Sequence, residues 1–202
     1  MLEQLKRLYT EKYGKASGFE EYIQSLKPMD ELNRMREEIK SNLTNVAIEP
    51  FALESMTGKK VKSADWKGKI VVLDFWATWC GPCKMAFPGM QMAVDKYAGD
   101  KDVEFYFIAT QESGDKYKQK IREYFAKNPY TFQVLYDGYD KEKKANNAVF
   151  ARFAAMLNDS GIPRKVILKD GVMRYTSGGY CGSPSKLADE ISLVIELLKA
   201  EK

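Results

Sequence analysis

Two of the three cysteines in this 202-residue chain stand three positions apart, Cys80 and Cys83, with Gly81 and Pro82 between them. Thiols at that spacing can form and break a disulfide, or supply two of the ligands of a zinc ion. The remaining thiol is Cys181 and the chain has no histidine, so zinc on the three cysteines would lack a fourth ligand of sulfur or imidazole. The missing histidine also excludes Ser-His-Asp and Cys-His nucleophile systems. Six residues before Cys80 lies Asp74, set in an otherwise apolar run. A carboxylate there is costly to bury unless it is paired, or unless a raised pKa keeps its proton on. A buried carboxyl of that kind suits a general base.

The elements that must position these groups can be read from the same stretch. Ile70, Val71, Val72, Leu73, Phe75 and Trp76 predict a strand buried on both faces, as in the middle of a parallel or mixed sheet. Cys80 and Cys83 then fall where the chain turns into a helix, whose amides and dipole stabilise a thiolate. That helix is expected to carry Met85, Met90, Ala93, Val94 and Tyr97 on its apolar side, with a kink at Pro88, and to end at Gly99.

The string Trp79-Cys80-Gly81-Pro82-Cys83-Lys84, preceded by Asp74-Phe75-Trp76-Ala77, resembles the redox segment of thioredoxins. The wider frame is similar to the TlpA/ResA-type thiol-disulfide oxidoreductases of bacterial cell envelopes. The phrase Gly58-Lys59-Lys60-Val61, followed by Asp65-Trp66-Lys67-Gly68-Lys69, carries that similarity upstream. The resemblance implies an α/β, thioredoxin-like fold, a central mixed β-sheet flanked by helices. It implies that Cys80 is the nucleophile, partly exposed, and that Cys83 resolves the mixed disulfide with Asp74 as its base. It further implies that Pro163, in Gly161-Ile162-Pro163, is cis and faces the disulfide, and that the Ile162 backbone offers hydrogen bonds to a substrate chain. Trp79, Gly81 and Pro82 complete the expected contact surface, whereas Trp76 reads equally well as core. Arg164 departs from the small polar residue that many relatives carry after that proline, and a bulky cation there would alter which substrates fit. Asp74 makes the core more thioredoxin-like than that of some envelope relatives.

Downstream of the first helix, Val103 to Ala109 predicts a second buried strand, and the polar turn at Glu112-Ser113-Gly114-Asp115 starts a helix with Tyr117, Ile121, Tyr124 and Phe125. Phe132 to Tyr136 reads as a short strand and Asp137-Gly138 as a turn before a helix with Ala148, Val149, Phe150, Phe153 and Leu157. Asp170-Gly171 joins the strands Lys165 to Lys169 and Val172 to Tyr175 as a hairpin. A last helix begins at Ser183-Pro184 and buries Leu187, Ile191, Val194, Ile195 and Leu198.

Hydrophobic residues at 45% and aromatics at 12% support a sizeable core. The net charge of +4 is dispersed among acidic residues, so nothing here argues for nucleic acid. Residues 1–45 show no strand pattern. Leu2, Leu5, Leu8 and Tyr9, then Phe19, Tyr22, Ile23 and Leu26, then Leu32, Met35, Ile39 and Leu43, form three helical stripes, with Asp30 after Pro28 as an N-cap. The expected organisation is therefore a helical segment at 1–45, a remnant of a larger domain or a bundle on the main one, and a thioredoxin-like domain at 46–202. From Ala47 to Ser55 a short strand through Phe51 and Leu53 is expected, turning at Thr57-Gly58-Lys59.

No stretch is long and apolar enough to span a bilayer, and Met1 to Arg7 lacks the apolar core of a signal peptide. The resemblance places the protein in the cell envelope or periplasm, with its export signal removed; a cytoplasmic protein is the alternative. The implied partners are protein disulfides and an upstream thiol or membrane electron donor, with no cofactor beyond the Cys80–Cys83 pair and no metal. Reduction of protein disulfides is the expected direction, since Gly81-Pro82 and Ile162 resemble the reducing members. Three competitors share some of these features. One is a thioredoxin-fold binding module, and another is a disulfide oxidase or isomerase using the same cysteines. The third is a peroxiredoxin, which needs a threonine at a different spacing from Thr78 and an upstream proline.

Overall fold

The apolar run Ile70–Trp76 is a strand buried along its whole length in this computed structural model, which describes residues 2–15, 17–19, 22, 29–140 and 145–201. The elements before it are α1 (Leu2–Tyr13), α2 (Met29–Ser41), β1 (Val46–Ala47), β2 (Ala52–Ser55), β3 (Lys60–Lys62) and a 3-10 turn at Ser63–Trp66, and the run itself is β4. After it come α3 (Gly81–Lys96), β5 (Val103–Ala109), α4 (Tyr117–Ala126), β6 (Val134–Tyr136), β7 (Tyr139–Asp140) and β8 (Ala145–Asn146). The chain closes with α5 (Ala148–Leu157), β9 (Arg164–Lys169), β10 (Val172–Gly178) and α6 (Pro184–Ala200).

Eight strands form one mixed sheet in the order β1-β10-β9-β4-β5-β6-β2-β3, and β7 pairs with β8 apart from it. β4 lies parallel to β5 on one side and antiparallel to β9 on the other. With both edges paired and both faces covered, an unbroken apolar strand is the sequence that fits. Side chains alternate along it. Val71, Leu73 and Phe75 join the cluster of Phe51, Trp66, Val149, Phe150 and Phe153 under α5. Trp76 points the other way and packs on Phe87 of α3 and on Tyr124 and Phe125 of α4. It is fully buried, hence a core residue. Asp74, two residues before it, shares the face on which α3 lies.

Several sequence expectations shift. The segment Ala47 to Ser55 is not one strand: β1 pairs with β10, while β2 pairs with β3 and β6 across the sheet, so the chain must cross over between them. The short strand before Asp137 begins at Val134, because Phe132 instead stacks flat on Phe107, 3.6 Å between ring centroids. The first long helix runs through Pro88 and is capped at Tyr97. Its buried residues are Cys83, Ala86, Phe87, Gly89, Met90 and Ala93, and Met85, expected on that side, is 61% exposed. At Asp170-Gly171 both residues have positive φ, +54° and +76°, as a two-residue hairpin loop of this twist requires.

The chain divides into two compact units, Met1–Glu38 and Ile39–Lys202. In the first, the Tyr9 ring meets those of Tyr13, Phe19 and Tyr22. Helix α2 begins at Met29, so Asp30 lies inside its first turn and is not its cap; Leu43 lies beyond its end. Ile23 and Leu26 of the expected second stripe, and Pro28 before Asp30, lie outside the described residues. Every candidate site residue belongs to the second unit.

Candidate active site

β4 ends at Trp76 and delivers Ala77-Thr78-Trp79-Cys80 to the N-terminus of α3. Cys80 is the N-cap, in an extended conformation (φ −79°, ψ 103°), and Pro82 occupies the first turn, where its missing N–H costs nothing. Cys80 and Cys83 are joined in a disulfide with their Cα atoms 5.3 Å apart. The amide that reaches the Cys80 sulfur is that of Cys83, at 3.2 Å. Pro82 has no amide hydrogen to contribute. A donor held at a helix N-terminus favours the thiolate that reduction would release.

Cys83 is wholly buried and Cys80 only 3% exposed, less open than the partly exposed nucleophile expected from sequence. The Cys80 sulfur is tucked beneath the helix amide and lies 3.8 Å from the Ile162 carbonyl oxygen. In the disulfide this is a packing contact; a reduced thiol has the S–H to donate across it. The bond from Ile162 to Pro163 is cis. The loop carrying it is braced. The Pro163 carbonyl accepts from the Gly179 amide at 2.9 Å, and the Asp159 carboxylate accepts from the Gly161 amide and from the Arg164 guanidinium. Those two donors hold the Asp159 carboxyl below the usual carboxylate range. Arg164, expected to confront substrates, is therefore turned inward. It is 8% exposed, lies in β9, and covers Gly178, where an added Cβ would come within 2.7 Å of its guanidinium carbon.

Trp79 is 60% exposed, with its indole N–H donating to the Gln111 carbonyl at 3.0 Å. A Cβ added at Gly81 would meet nothing within 4 Å, so this position faces open space beside the disulfide. Trp79 and Met85 are thus exposed apolar side chains on the loop and helix that carry Cys80 and Cys83.

Beneath the helix, Asp74 is fully buried, and among the described residues neither of its carboxylate oxygens has a hydrogen-bond partner. Burial pushes its pKa up to about 6, and the nearby Lys165 ammonium restrains the rise. Lys165 is the cross-strand partner of Asp74 in β9, 1% exposed, with its Nζ donating to the Gly179 carbonyl at 2.9 Å. Sequence reading found Asp74 but passed over Lys165, which reads as the first residue of an ordinary strand. No local signal marked it, since a lysine can flank an apolar run such as Val166-Ile167-Leu168 without being buried, as the partly exposed Lys169 at its other end does. Glu112 was likewise read only as part of a polar turn, yet it is 3% exposed and its carboxylate binds Thr78. Cys181 is free and exposed.

Known proteins bear on this geometry. Residues 44–176 match the AhpC/TSA family. A Bacillus subtilis relative described as thioredoxin-like protein YneN is 35% identical over 98 residues, 48% of this chain and 53% of its own. The Bacillus subtilis thiol-disulfide oxidoreductase ResA is 37% identical over 94 residues, 45% of this chain and 51% of its own. The match thus spans about half the length of these curated relatives. Among solved structures, one described as a thiol:disulfide interchange protein DsbE from Chlorobium tepidum superposes with a TM-score of 0.57 at 25% identity, covering 75% of this chain and 96% of that one. One described as a thiol-disulfide oxidoreductase from Bacteroides vulgatus gives 0.55 at 27% identity, over 75% of this chain and 93% of that one.

Proposed function

The chain belongs to the AhpC/TSA family, and from that premise we propose that it is a thiol-disulfide oxidoreductase that reduces disulfides in proteins. The observation that carries the reading is the Cys80–Cys83 disulfide at the N-terminus of α3, set against the carbonyl before a cis proline. In the reduced enzyme the Cys80 thiolate attacks one sulfur of a substrate disulfide, forming a mixed disulfide and expelling the other sulfur as a thiolate that takes up a proton. Cys83 then gives its proton to Asp74 and attacks the Cys80 sulfur. The enzyme disulfide forms and the second substrate thiol leaves, protonated. Two electrons pass from the enzyme to the substrate, and an upstream dithiol donor must restore them.

A peroxidase would need a hydroxyl to orient a peroxide at Cys80. The Thr78 hydroxyl, two residues away, instead donates to the Glu112 carboxylate at 2.9 Å. The cell envelope is the proposed location, where a membrane electron carrier would serve as donor. Among the described residues no helix is long and apolar enough to cross a membrane.

Redox titration of the pair against dithiothreitol or glutathione, read by tryptophan fluorescence, tests the direction. A potential near about −270 mV or lower supports a reductase, whereas about −120 to −180 mV indicates an oxidase or isomerase. The reduced protein should also cleave insulin disulfides, and Cys80→Ser should abolish that cleavage. Cleavage that survives in Cys80→Ser would refute the assignment of the nucleophile.

A further inference from the structure

The residues that follow β5, Thr110-Gln111-Glu112, touch both loops that meet at Cys80, and the exchange chemistry above makes no use of them. Glu112 accepts the Thr78 backbone N–H on one carboxylate oxygen and the Thr78 hydroxyl, at 2.9 Å, on the other. Gln111, held at φ +54°, accepts the Trp79 indole N–H on its carbonyl at 3.0 Å. Its side-chain amide donates to the Ser160 carbonyl at 3.0 Å, in the loop that leads to Pro163. One short segment therefore grips the redox loop at two residues and the cis-proline loop at a third.

The segment is anchored from behind. Asn146 of β8, with no exposed surface, accepts the Glu112 amide on Oδ1 at 2.6 Å and donates Nδ2 to the Ala109 carbonyl at 2.9 Å. Its own carbonyl accepts the Gln111 amide at 2.9 Å. A buried carboxylate left without such bonds is costly, so the grip on Thr78 admits few alternative geometries. Buried networks that are satisfied in this way hold one arrangement and penalise others.

We infer that Glu112 is a positioning residue for polypeptide substrates: Glu112 holds Thr78 while the adjacent Gln111 holds Trp79 and Ser160, and together they fix the spacing between loop 77–80 and loop 160–163, between which an extended chain presents its disulfide to Cys80. This inference rests on the thiol-disulfide reading and names what the site is shaped to hold. A small disulfide needs only the Cys80 sulfur, whereas a protein strand needs both loops in register. Misplacing one wall of such a site lowers reactivity without touching the reacting atoms.

Kinetics with two substrates test it. Glu112→Ala should lower kcat/KM for insulin by about tenfold or more, mainly through KM, while oxidation of the reduced enzyme by a small aliphatic disulfide changes by less than about twofold. Glu112→Gln retains an acceptor for the Thr78 amide and should restore most of the loss. Acrylamide quenching supplies a readout independent of activity, because Trp66 and Trp76 are buried and Trp79 is exposed. Glu112→Ala should increase it. Equal loss on both substrates, no loss on insulin, or failure of Glu112→Gln to restore it would each overturn the inference. Should Glu112→Ala not fold, Thr78→Val, which removes the hydroxyl contact alone, must show the same split in weaker form, and its absence would count against the inference equally. If the wild-type protein leaves insulin intact yet Glu112→Ala still alters Trp79 quenching, the reductase reading falls and the grip on the redox loop stands.

Discussion

Asp74 shows how one buried group ties stability to chemistry. Its folded pKa of about 6 lies above the ordinary value of 3.8. The neutral carboxyl is therefore tolerated below the ordinary pKa, and the cost of burying the charge grows until the pH passes the folded value. The gap corresponds to about 3 kcal/mol. Asp74→Asn should accordingly raise stability by up to about 3 kcal/mol at pH 8 and by almost nothing near pH 3.5, as urea unfolding at both pH values would show. On the proposed mechanism the same substitution removes the base, so resolution of the mixed disulfide by Cys83 should slow by about a hundredfold or more. Stability gained with rate lost is the outcome that identifies a functional carboxylate. Lys165 supplies the complementary test. Its positive charge lowers the Asp74 pKa, so Lys165→Met should move the pH midpoint of the resolving step above about 6. Stopped-flow fluorescence across pH 5 to 9 would read the shift, and an unmoved midpoint would remove Lys165 from the site's electrostatics.

The helices hold these residues through contacts that local propensity does not foresee. Gly89 lies inside α3, where replacing glycine by alanine would ordinarily stabilise by about 0.5–1 kcal/mol. Here an added Cβ would come within 2.6 Å of the Pro184 carbonyl oxygen at the start of α6, so the two helices would have to separate. Gly89→Ala should therefore destabilise by about 1–3 kcal/mol, in the opposite direction to the propensity scale. Thermal unfolding would decide, and a higher midpoint would show that the contact can relax. Asp137 makes a related point. Read from sequence as half of a turn, it is 3% exposed and accepts from the Thr110 hydroxyl and from the Gly138, Val149 and Phe150 amides. The last two belong to the first turn of α5, which Asp137 caps from eleven residues upstream of Ala148. Burial nonetheless pushes its pKa up to about 6 against those hydrogen bonds.

For the whole molecule, the site and the full sheet fall within the unit that starts at Ile39. A chain beginning at Ile39 should fold and show the same redox potential and insulin-reduction rate as the intact protein. Loss of either would mean that residues 1–38 contribute to the site. Glu201, just after α6, is tied into the main unit. Glu201 receives a bidentate Arg174 at 2.6 and 2.7 Å and also pairs with Lys169, which binds β10 and β9 to the end of α6.

The amino-acid sequence by itself determined the buried strand Ile70–Trp76, the helix start at Cys80-Gly81-Pro82, the Asp170-Gly171 hairpin and the packed face of α6. Each of these follows from neighbours in the chain: continuous apolarity, a proline in a first turn, a turn dipeptide, or a helical period. The likeness of one short motif to a known family implied the rest, including the cis peptide before Pro163. Tertiary structure alone decided which distant residues meet. Lys165 faces Asp74 because β9 runs antiparallel to β4, and a register one residue different would turn it to the opposite face. Arg164 pairs with Asp159 and lies over Gly178, and Glu112 reaches Thr78 across thirty-four positions of chain. Buried polar groups take their partners from whatever the fold brings within hydrogen-bond reach, and linear spacing holds no record of that.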